Sequence, residues 1–403
     1  MDKKLRAAFN RVYTDDLYAR YRASLDETIG PFPFRVAETP LFLDARLREH
    51  LVTAALEIIA QLSRPAALEK MRGAIPERYH APGMDPLPDC VQVDFALCKD
   101  ERGELCGRVV ELQAFPSLSA MQIFESDAWA AAMRGAGLDA DYTCFFSPGG
   151  REDAMQLLRG CVLGPYGAEE TVLVDVTPDD QKTAPDFRAT TKLLGVDAVC
   201  VTEVKKEGRR LLRQKDGKWI PIRRIYNRLV FDELERKNVP VPWDWREDLD
   251  VSWCSHPNWY WVWSKFSLPH VDHPCVPRAR YLSDIGELPP DLDAYVLKPL
   301  FSFAGSGVII DVTKEAVDAV PAERRPHYLL QKKIEYAWAI EAPDGAGVKA
   351  EVRMMMLRRG AGKPLEPLLP LVRLSRGKML GVDQNKASES RWTGGSVGIW
   401  ATP

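Results

Sequence analysis

The chain has 403 residues, of which 46% are hydrophobic and 28% are charged, and its formal net charge is −3. This composition is typical of a soluble globular protein with two or three domains, and the charge argues against a general nucleic-acid binder. No uninterrupted apolar run is long enough to span a bilayer, and the charged N-terminal stretch lacks the apolar core of a signal peptide, so we expect a cytoplasmic protein.

The eight cysteines are scattered along the chain, and none of them forms a CxxC pair. Closely spaced cysteines are the usual mark of zinc sites and of disulfide-rich domains. We therefore expect a reducing compartment, with neither a disulfide framework nor a structural zinc site.

Residues 1 to about 85 are predicted to form a helical segment. Apolar residues recur there on one helical face, namely Leu47, Leu51, Ala55, Ile58, Ile59 and Leu62. This spacing predicts a helix that packs on the core. The stretch 81–89, APGMDPLPD, reads as a linker or loop.

Residues 91–118 predict an antiparallel hairpin. Apolar residues alternate along 91–97, a charged turn follows at 99–104, and 108–112 returns. Asp94, Glu111 and Gln113 carry oxygen atoms of the kind that magnesium prefers. Taken alone, a surface hairpin with ordinary exposed acids is the better interpretation.

The middle of the chain predicts a helix at 121–137 and then a βαβ unit, with a strand at 171–176, a helix at 185–194 and a strand at 198–202. Such a unit forms a parallel sheet with a right-handed crossover. No GxGxxG opens its helix, which argues against a dinucleotide site. The Trp-rich stretch 240–264 is interpreted as an aromatic core rather than a base-stacking surface.

Residues 294–312 predict a strand, a Gly-containing loop and a second strand at Val308–Val312. Lys298 ends the first strand, and the loop contains Ser302, Gly305, Ser306 and Gly307. Glycines let backbone N–H groups approach a polyphosphate, and a lysine adds a charge for its oxygens. A plain β-hairpin with a mobile tip and a solvated lysine is about equally compatible with this segment alone.

This arrangement of lysine, loop and strand resembles that of ATP-grasp enzymes. The wording KPLF, with VDFAL and VVELQAFPSL in the early hairpin, resembles the glutathionylspermidine synthetase branch of that superfamily. The resemblance covers roughly residues 85–400. It implies an α/β (α+β) ATP-grasp fold, with a helical N-terminal segment (1–85), a Rossmann-like preATP-grasp region (86–245) and a nucleotide-binding region (246–403).

The resemblance also implies roles for individual residues. Magnesium ligands would be Asp94, Glu111 and Gln113, although the family has Asn at the last position and an Arg where this chain has Gln92. ATP would contact Lys265, Lys298, the loop residues Ser302, Gly305, Ser306 and Gly307, and the hinge residues Gln331, Lys332 and Ile334. Arg353 and Lys298 would act in catalysis. Substrate would contact Ser117, Arg391, Gly394, Gly395 and Ser396.

A second metal pair competes with the early one. Asp383 and Asn385 imitate the E-x-N pair that ordinary ATP-grasp ligases carry near the C-terminus. An acid is missing from the preceding strand, PLVRLSRGKML, whereas Asp94 and Glu111 both match the branch, so we favour the early pair.

The resemblance implies a carboxylate–amine ligase that uses ATP and Mg²⁺ and forms an amide through an acylphosphate. Its partners would be a small-molecule carboxylate and an amine, such as an amino acid, peptide or polyamine, with neither nucleic acid nor membrane. Three alternatives stay open: a degenerate ATP-grasp protein that binds ATP as a regulatory or assembly module, an ATP-dependent small-molecule kinase, and a structural protein without a nucleotide site.

Overall fold

The computed structural model describes residues 1–301, 307–377 and 391–402. Within these residues the chain forms ten α-helices and eighteen β-strands. The helices are α1 (Lys3–Val12), α2 (Asp15–Ile29), α3 (Ala45–Leu62), α4 (Pro65–Arg72), α5 (Ser119–Arg134), α6 (Gly150–Leu163), α7 (Ala184–Leu194), α8 (Phe231–Arg236), α9 (Trp259–Val262) and α10 (Lys314–Asp318). The strands are β1 (Leu41–Phe42), β2 (Cys90–Lys99), β3 (Leu105–Gln113), β4 (Tyr142–Thr143), β5 (Thr171–Asp175), β6 (Asp197–Cys200), β7 (Lys205–Glu207), β8 (Arg210–Lys215), β9 (Lys218–Ile222), β10 (Arg224–Asn227), β11 (Ser252–Cys254), β12 (Ala279–Tyr281), β13 (Tyr295–Pro299), β14 (Tyr328–Lys332), β15 (Ile340–Glu341), β16 (Gly347–Arg358), β17 (Leu365–Ser375) and β18 (Gly394–Ala401).

The helical N-terminal segment is present, and α3 is its longest helix. The Asp44 carboxylate caps α3 by accepting a hydrogen bond from the backbone N–H of Leu47. All six apolar residues of the predicted face are buried, which confirms that this helix packs on the core. No single helix among the described residues is long and apolar enough to cross a membrane, although α3 and α4, bent by 72° at their junction, pass that test as a pair.

The largest sheet is built from distant parts of the chain. Its strand order is β1-β18-β17-β16-β2-β3, with β15 beside β16 and β4 beside β18. The long strands β2, β3, β16, β17 and β18 pair with one another antiparallel, whereas the short β1 is parallel to β18. The early hairpin therefore shares a sheet with the C-terminal strands, across the division between 86–245 and 246–403.

The two faces of this sheet pack on different helices. Val352, Met354 and Met356 share one hydrophobic core with α3, whereas Met355 and Leu357 share another with α2, α5 and α6. This alternation follows from the two-residue period of a strand. The methionines at 354–356 are fully buried, as we expected for core residues.

A second sheet contains the predicted βαβ unit. Its order is β11-β10-β5-β6, and all its pairs are parallel. The prediction of a parallel sheet is therefore confirmed, with α7 as the crossover helix. The Trp-rich stretch lies against this region with Trp243, Trp245, Trp259, Trp261 and Trp263 all buried, which confirms the aromatic core.

A small antiparallel sheet, β12-β14-β13, follows. The predicted second strand at Val308–Val312 is wrong, because this segment makes a single bridge, from Ile309 to Leu297. The chain bends at residues 310 and 311 directly after that bridge. In the other direction from the bridge, the next hydrogen bond between the two segments would need a backbone N–H from Pro299, which proline lacks. The β-branched residues of this segment favour an extended backbone, but a strand also needs a neighbouring strand as hydrogen-bond partner.

Candidate functional site

Strand pairing in the large sheet brings charged residues from both ends of the chain into two neighbouring rows. In one row, Glu111 of β3 lies opposite Asp94 of β2, which lies opposite Arg353 of β16. In the other, Glu351 of β16 lies opposite Arg373 of β17. Directly opposed residues on adjacent strands bring their side chains together. The sheet register alone therefore assembles a charged cluster.

A β-bulge shapes the edge of this cluster. Asp94 pairs with Glu111 and Phe95 pairs with Val109, so Val110 is the extra residue. Bulges change the direction of the groups they carry and are common beside active sites. Here the Val110 carbonyl accepts a hydrogen bond of 3.0 Å from the Lys298 ammonium. The bulge thus explains why Glu111 follows two valines in the sequence.

Asp94 is the buried centre of the cluster. Its Oδ1 and Oδ2 accept hydrogen bonds of 2.6 Å from Nε and Nη2 of Arg353, and Oδ2 also accepts one from Arg373. Burial opposes ionisation of the carboxyl, but the two guanidinium groups outweigh it and lower the pKa of Asp94 to about 2. Arg353 is oriented further by Ser117, whose Oγ accepts from Nη1 at 2.9 Å.

Glu351 forms the second acidic centre. Arg373 lies 3.1 Å from one of its oxygens, and the Tyr336 hydroxyl donates to the other. Burial raises the pKa of Glu351, while the charge of Arg373 opposes that shift. Arg373 therefore bridges Asp94 and Glu351, and it joins the two rows.

Two lysines approach the cluster from other elements. Lys265 opens a short 3₁₀-helix, Lys265–His270, and its ammonium lies 3.6 Å from Glu111 Oε2. Lys298 comes from β13 and is also buried. Burial lowers the pKa of Lys298 to about 8, although the charge of Glu111 opposes the shift. An anion that enters beside such a buried lysine would stabilise its charged form.

A cavity of about 700 Å³ lies over these groups. Its lining contains nine Lys or Arg residues and four Asp or Glu residues. The basic residues are Lys182, Arg228, Lys265, Lys298, Lys332, Lys333, Lys349, Arg353 and Arg373. An excess of cations in a partly enclosed cleft favours anionic ligands.

The fold has a solved counterpart. A glutathione synthetase-like effector from Globodera pallida, in its apo form, matches 91% of this chain and 96% of its own, with a TM-score of 0.59 and 12% sequence identity. At that identity the likeness concerns the fold. The predicted fold class is confirmed. The protein has a mixed α/β fold of the glutathione synthetase-like type.

Comparison of the sequence with known families and curated proteins identified no relative. No protein-family model matches the chain. A search of curated proteins likewise found no match.

Most of the site residues proposed from the sequence line the same cavity. They are Glu111, Gln113, Ser117, Lys265, Lys298, Gln331, Lys332, Ile334, Arg353 and Gly395. Ser302, Gly305, Ser306, Asp383 and Asn385 lie outside the described residues. Gly307 is described and is absent from the cavity lining, and a Cβ at this position would lie 2.9 Å from the ring of Pro299.

Four of the proposed roles do not fit the arrangement of the described residues. Asp94 is absent from the cavity lining and only 1% exposed, and both its oxygens already accept hydrogen bonds from arginine, which does not fit an open metal ligand. Arg391 pairs with Asp15 of α2 and is absent from the cavity lining. Ser396 donates its hydroxyl proton to the Thr39 carbonyl, and Gly394 packs against the backbone of Arg35.

Sequence reasoning missed Arg373, which holds the two rows together. It stands in the otherwise apolar run PLVRL of β17. A lone arginine among apolar strand residues is a usable signal, because a buried guanidinium needs an acid beside it. Lys182 and Arg228 were missed as well, since they come from the parallel-sheet region, and nothing in their local sequence points to this cavity.

Proposed function

We propose that the protein is an ATP-dependent carboxylate–amine ligase of the ATP-grasp type. The observation that best supports this proposal is the cavity with nine basic and four acidic residues, built jointly by the early hairpin and the late strands. A nucleoside triphosphate and a carboxylate substrate are both anionic. Such a lining offsets their charge and their mutual repulsion.

One end of the cavity suits an adenine base. The Gln331 side chain is buried, and neither its amide oxygen nor its amide nitrogen has a hydrogen-bond partner among the described residues. An unpaired buried amide is costly, whereas a Gln amide matches the donor and acceptor edge of adenine. Val296 lies directly opposite Gln331 on the neighbouring strand and, with Ile310 and Ile334, offers an apolar wall.

The phosphates would then reach the basic part of the lining. Lys265 and Lys298, which come from two different elements, would hold phosphate oxygens. Arg353 is fixed in orientation by Asp94 and Ser117 and would stabilise charge near the transferred group. ATP would supply the phosphoryl group that converts the substrate carboxylate into an acylphosphate, from which the amine displaces phosphate to form the amide.

Glu111 and Gln113 fit a magnesium site better than Asp94 does. Glu111 lines the cavity, and its oxygens form ion pairs of 3.6 Å with Lys265 and Arg353 that are longer than hydrogen bonds. Gln113 adds an amide oxygen to the same lining. Magnesium bound there would screen charge between the phosphates and the attacking carboxylate.

The direct test is ADP release by the purified protein with ATP, Mg²⁺ and pools of amino acids, short peptides and polyamines. We expect ADP formation that requires both an acid and an amine. Glu111→Gln should need several-fold more Mg²⁺ for half-maximal rate. Glu101→Gln, at the exposed hairpin turn, should behave like the parent. ADP release without any amine acceptor would point to a kinase instead.

A second candidate is a protein that binds ATP without turnover. The observation in its favour is that all three nitrogen atoms of the Arg353 guanidinium already have a partner within the protein. Gln113, where the family has Asn, points the same way. Stabilisation by MgATP with no ADP formed from any substrate pool would select this candidate.

A further inference from the structure

Three cysteines from three separate elements meet in the interior, away from the cavity. Cys90 begins β2, Cys161 lies in α6 and Cys254 ends β11. Their sulfur atoms are separated by 3.5 Å (Cys90–Cys161), 3.6 Å (Cys161–Cys254) and 3.9 Å (Cys90–Cys254). All three residues are buried, with exposures of 1% or less.

The spacing of the sulfurs suits a single ion. The centre of a triangle with these sides lies about 2.1 Å from each corner, close to the zinc–sulfur bond length of about 2.3 Å. An ion slightly out of the sulfur plane would therefore reach all three thiolates without moving the backbone.

The surrounding charges favour an anionic complex. Arg224 is buried and donates hydrogen bonds of 2.8 Å to the carbonyls of Cys161 and Val162, which hold its guanidinium beside the cluster. The nearest acid to Arg224 is Asp89, at 3.8 Å, and Asp89 already accepts a hydrogen bond of 2.9 Å from Arg358. Arg358 has a second acid, Asp85, whose Oδ2 lies 3.3 Å from the same nitrogen, whereas Arg224 shares Asp89 with Arg358. Uncharged thiols would leave Arg224 with this shared carboxylate, whereas a metal–thiolate group would place a further negative charge beside it.

We propose that Cys90, Cys161 and Cys254 bind one thiophilic metal ion, Cu⁺ or Zn²⁺, in a structural site that joins the large sheet to the parallel sheet. Thiolates are the ligands that these two ions prefer. Each thiol loses its proton to solvent as its metal–sulfur bond forms, so the bound group carries net negative charge beside Arg224. None of the three cysteines lines the cavity described above.

The test uses the full-length protein, stripped with a chelator under reducing conditions and reloaded with either Zn²⁺ or, anaerobically, Cu⁺. After desalting, elemental analysis should find one equivalent of one of these ions in the parent. Cys161→Ser should retain less than a tenth of that amount. Cys144→Ser is the matched control, because Cys144 is equally buried but lies outside the cluster, and it should retain the full equivalent.

A second measurement needs no variant. X-ray absorption of the metal-loaded parent should show a first shell that contains three sulfur atoms, and the loaded protein should unfold at a higher temperature than the stripped protein. Loss of both ions on desalting, or a first shell of nitrogen and oxygen alone, would overturn the proposal. Equal retention by Cys161→Ser and the parent would overturn it too.

Discussion

Lys298 is a buried cation whose nearest protein partner is a backbone carbonyl. It donates to the Val110 carbonyl, and its pKa is lowered to about 8 by burial. An ammonium in this situation carries a desolvation cost that a bound anion would relieve. The sequence identified this lysine through the KPLF wording, but its burial and its contact with the hairpin bulge emerge only from the fold.

The pH dependence of nucleotide affinity should report Lys298. Below pH 8 the ammonium is charged and attracts phosphate, and above pH 8 it loses its proton. At pH 9 about a tenth of it stays charged, so we expect the Kd for ATP to rise up to about tenfold between pH 7 and pH 9. Isothermal titration calorimetry at both pH values measures this. Lys298→Arg should flatten the dependence, and a parent whose Kd is the same at both pH values would exclude this role.

Asp94 illustrates how the same residue type changes its role with burial. Its carboxylate is surrounded by Arg353 and Arg373, which makes it an orienting group rather than an open metal ligand. The family resemblance implied that Asp94 and Arg353 lie at the same site, whereas the hairpin alone favoured an ordinary exposed acid. Neither showed that Arg373, 279 residues away along the chain, contacts Asp94 as well.

Asp94→Asn should strongly destabilise the fold. Removing one charge from a buried ion-pair group typically costs about 3–5 kcal/mol, since the partners stay buried and uncompensated. The folded-state pKa of about 2 lies below the usual 3.8, so the contribution of Asp94 is present above pH 4 and is lost as the pH falls toward 2. Urea unfolding at pH 7 and at pH 3 should show a smaller difference between parent and variant at pH 3. A variant as stable as the parent at pH 7 would contradict this account.

At the scale of elements, the sequence predicted those helices and strands whose apolar residues recur at a regular spacing. The amphipathic face of α3, the hairpin β2–β3 and the βαβ unit follow directly from apolar spacing. The segment 308–312 failed because a strand needs a neighbour as well as suitable residues. The bulge at Val110 was also beyond the sequence, since it depends on the register between two strands.

The helix α3 allows a matched comparison of buried and exposed positions. Ile58 is fully buried, whereas the nearby Leu56 is 38% exposed. Ile58→Ala should cost about 2–5 kcal/mol of stability, because it leaves a cavity in the core. Leu56→Ala should cost less than about 1 kcal/mol. Chemical denaturation of both variants checks this, and similar losses for the two would mean that the packing of α3 is misassigned.

At the scale of the whole molecule, the order of residues in the sequence says little about which of them are close in space. Strand β2 pairs with β16 although about 250 residues separate them, and the three clustered cysteines are far apart in the chain. Scattered cysteines predicted no metal site, because only the fold reveals that Cys90, Cys161 and Cys254 meet. The joint order of several weak motifs still indicated the correct fold class.

Because the cavity is formed by distant segments, a ligand that fills it should stabilise the whole fold. At a MgATP concentration about 100 times the Kd, we expect about 2.7 kcal/mol of added stability. Differential scanning fluorimetry with and without MgATP measures the shift in unfolding temperature. Lys298→Met should show a much smaller shift, and Lys314→Met, at an exposed surface lysine, should match the parent.

The pairing of β2 with β16 has a consequence for biosynthesis. While the ribosome extends the chain, β2 has β3 on one side and an open edge on the other until strand β16, which begins at residue 347, emerges. At about 5–20 residues per second, that interval lasts roughly 10–50 s. An apolar strand with an unfilled edge invites pairing between nascent chains. Fragments that stop before β16 should therefore accumulate as aggregates, and the cell must shelter that edge until the C-terminal strands arrive.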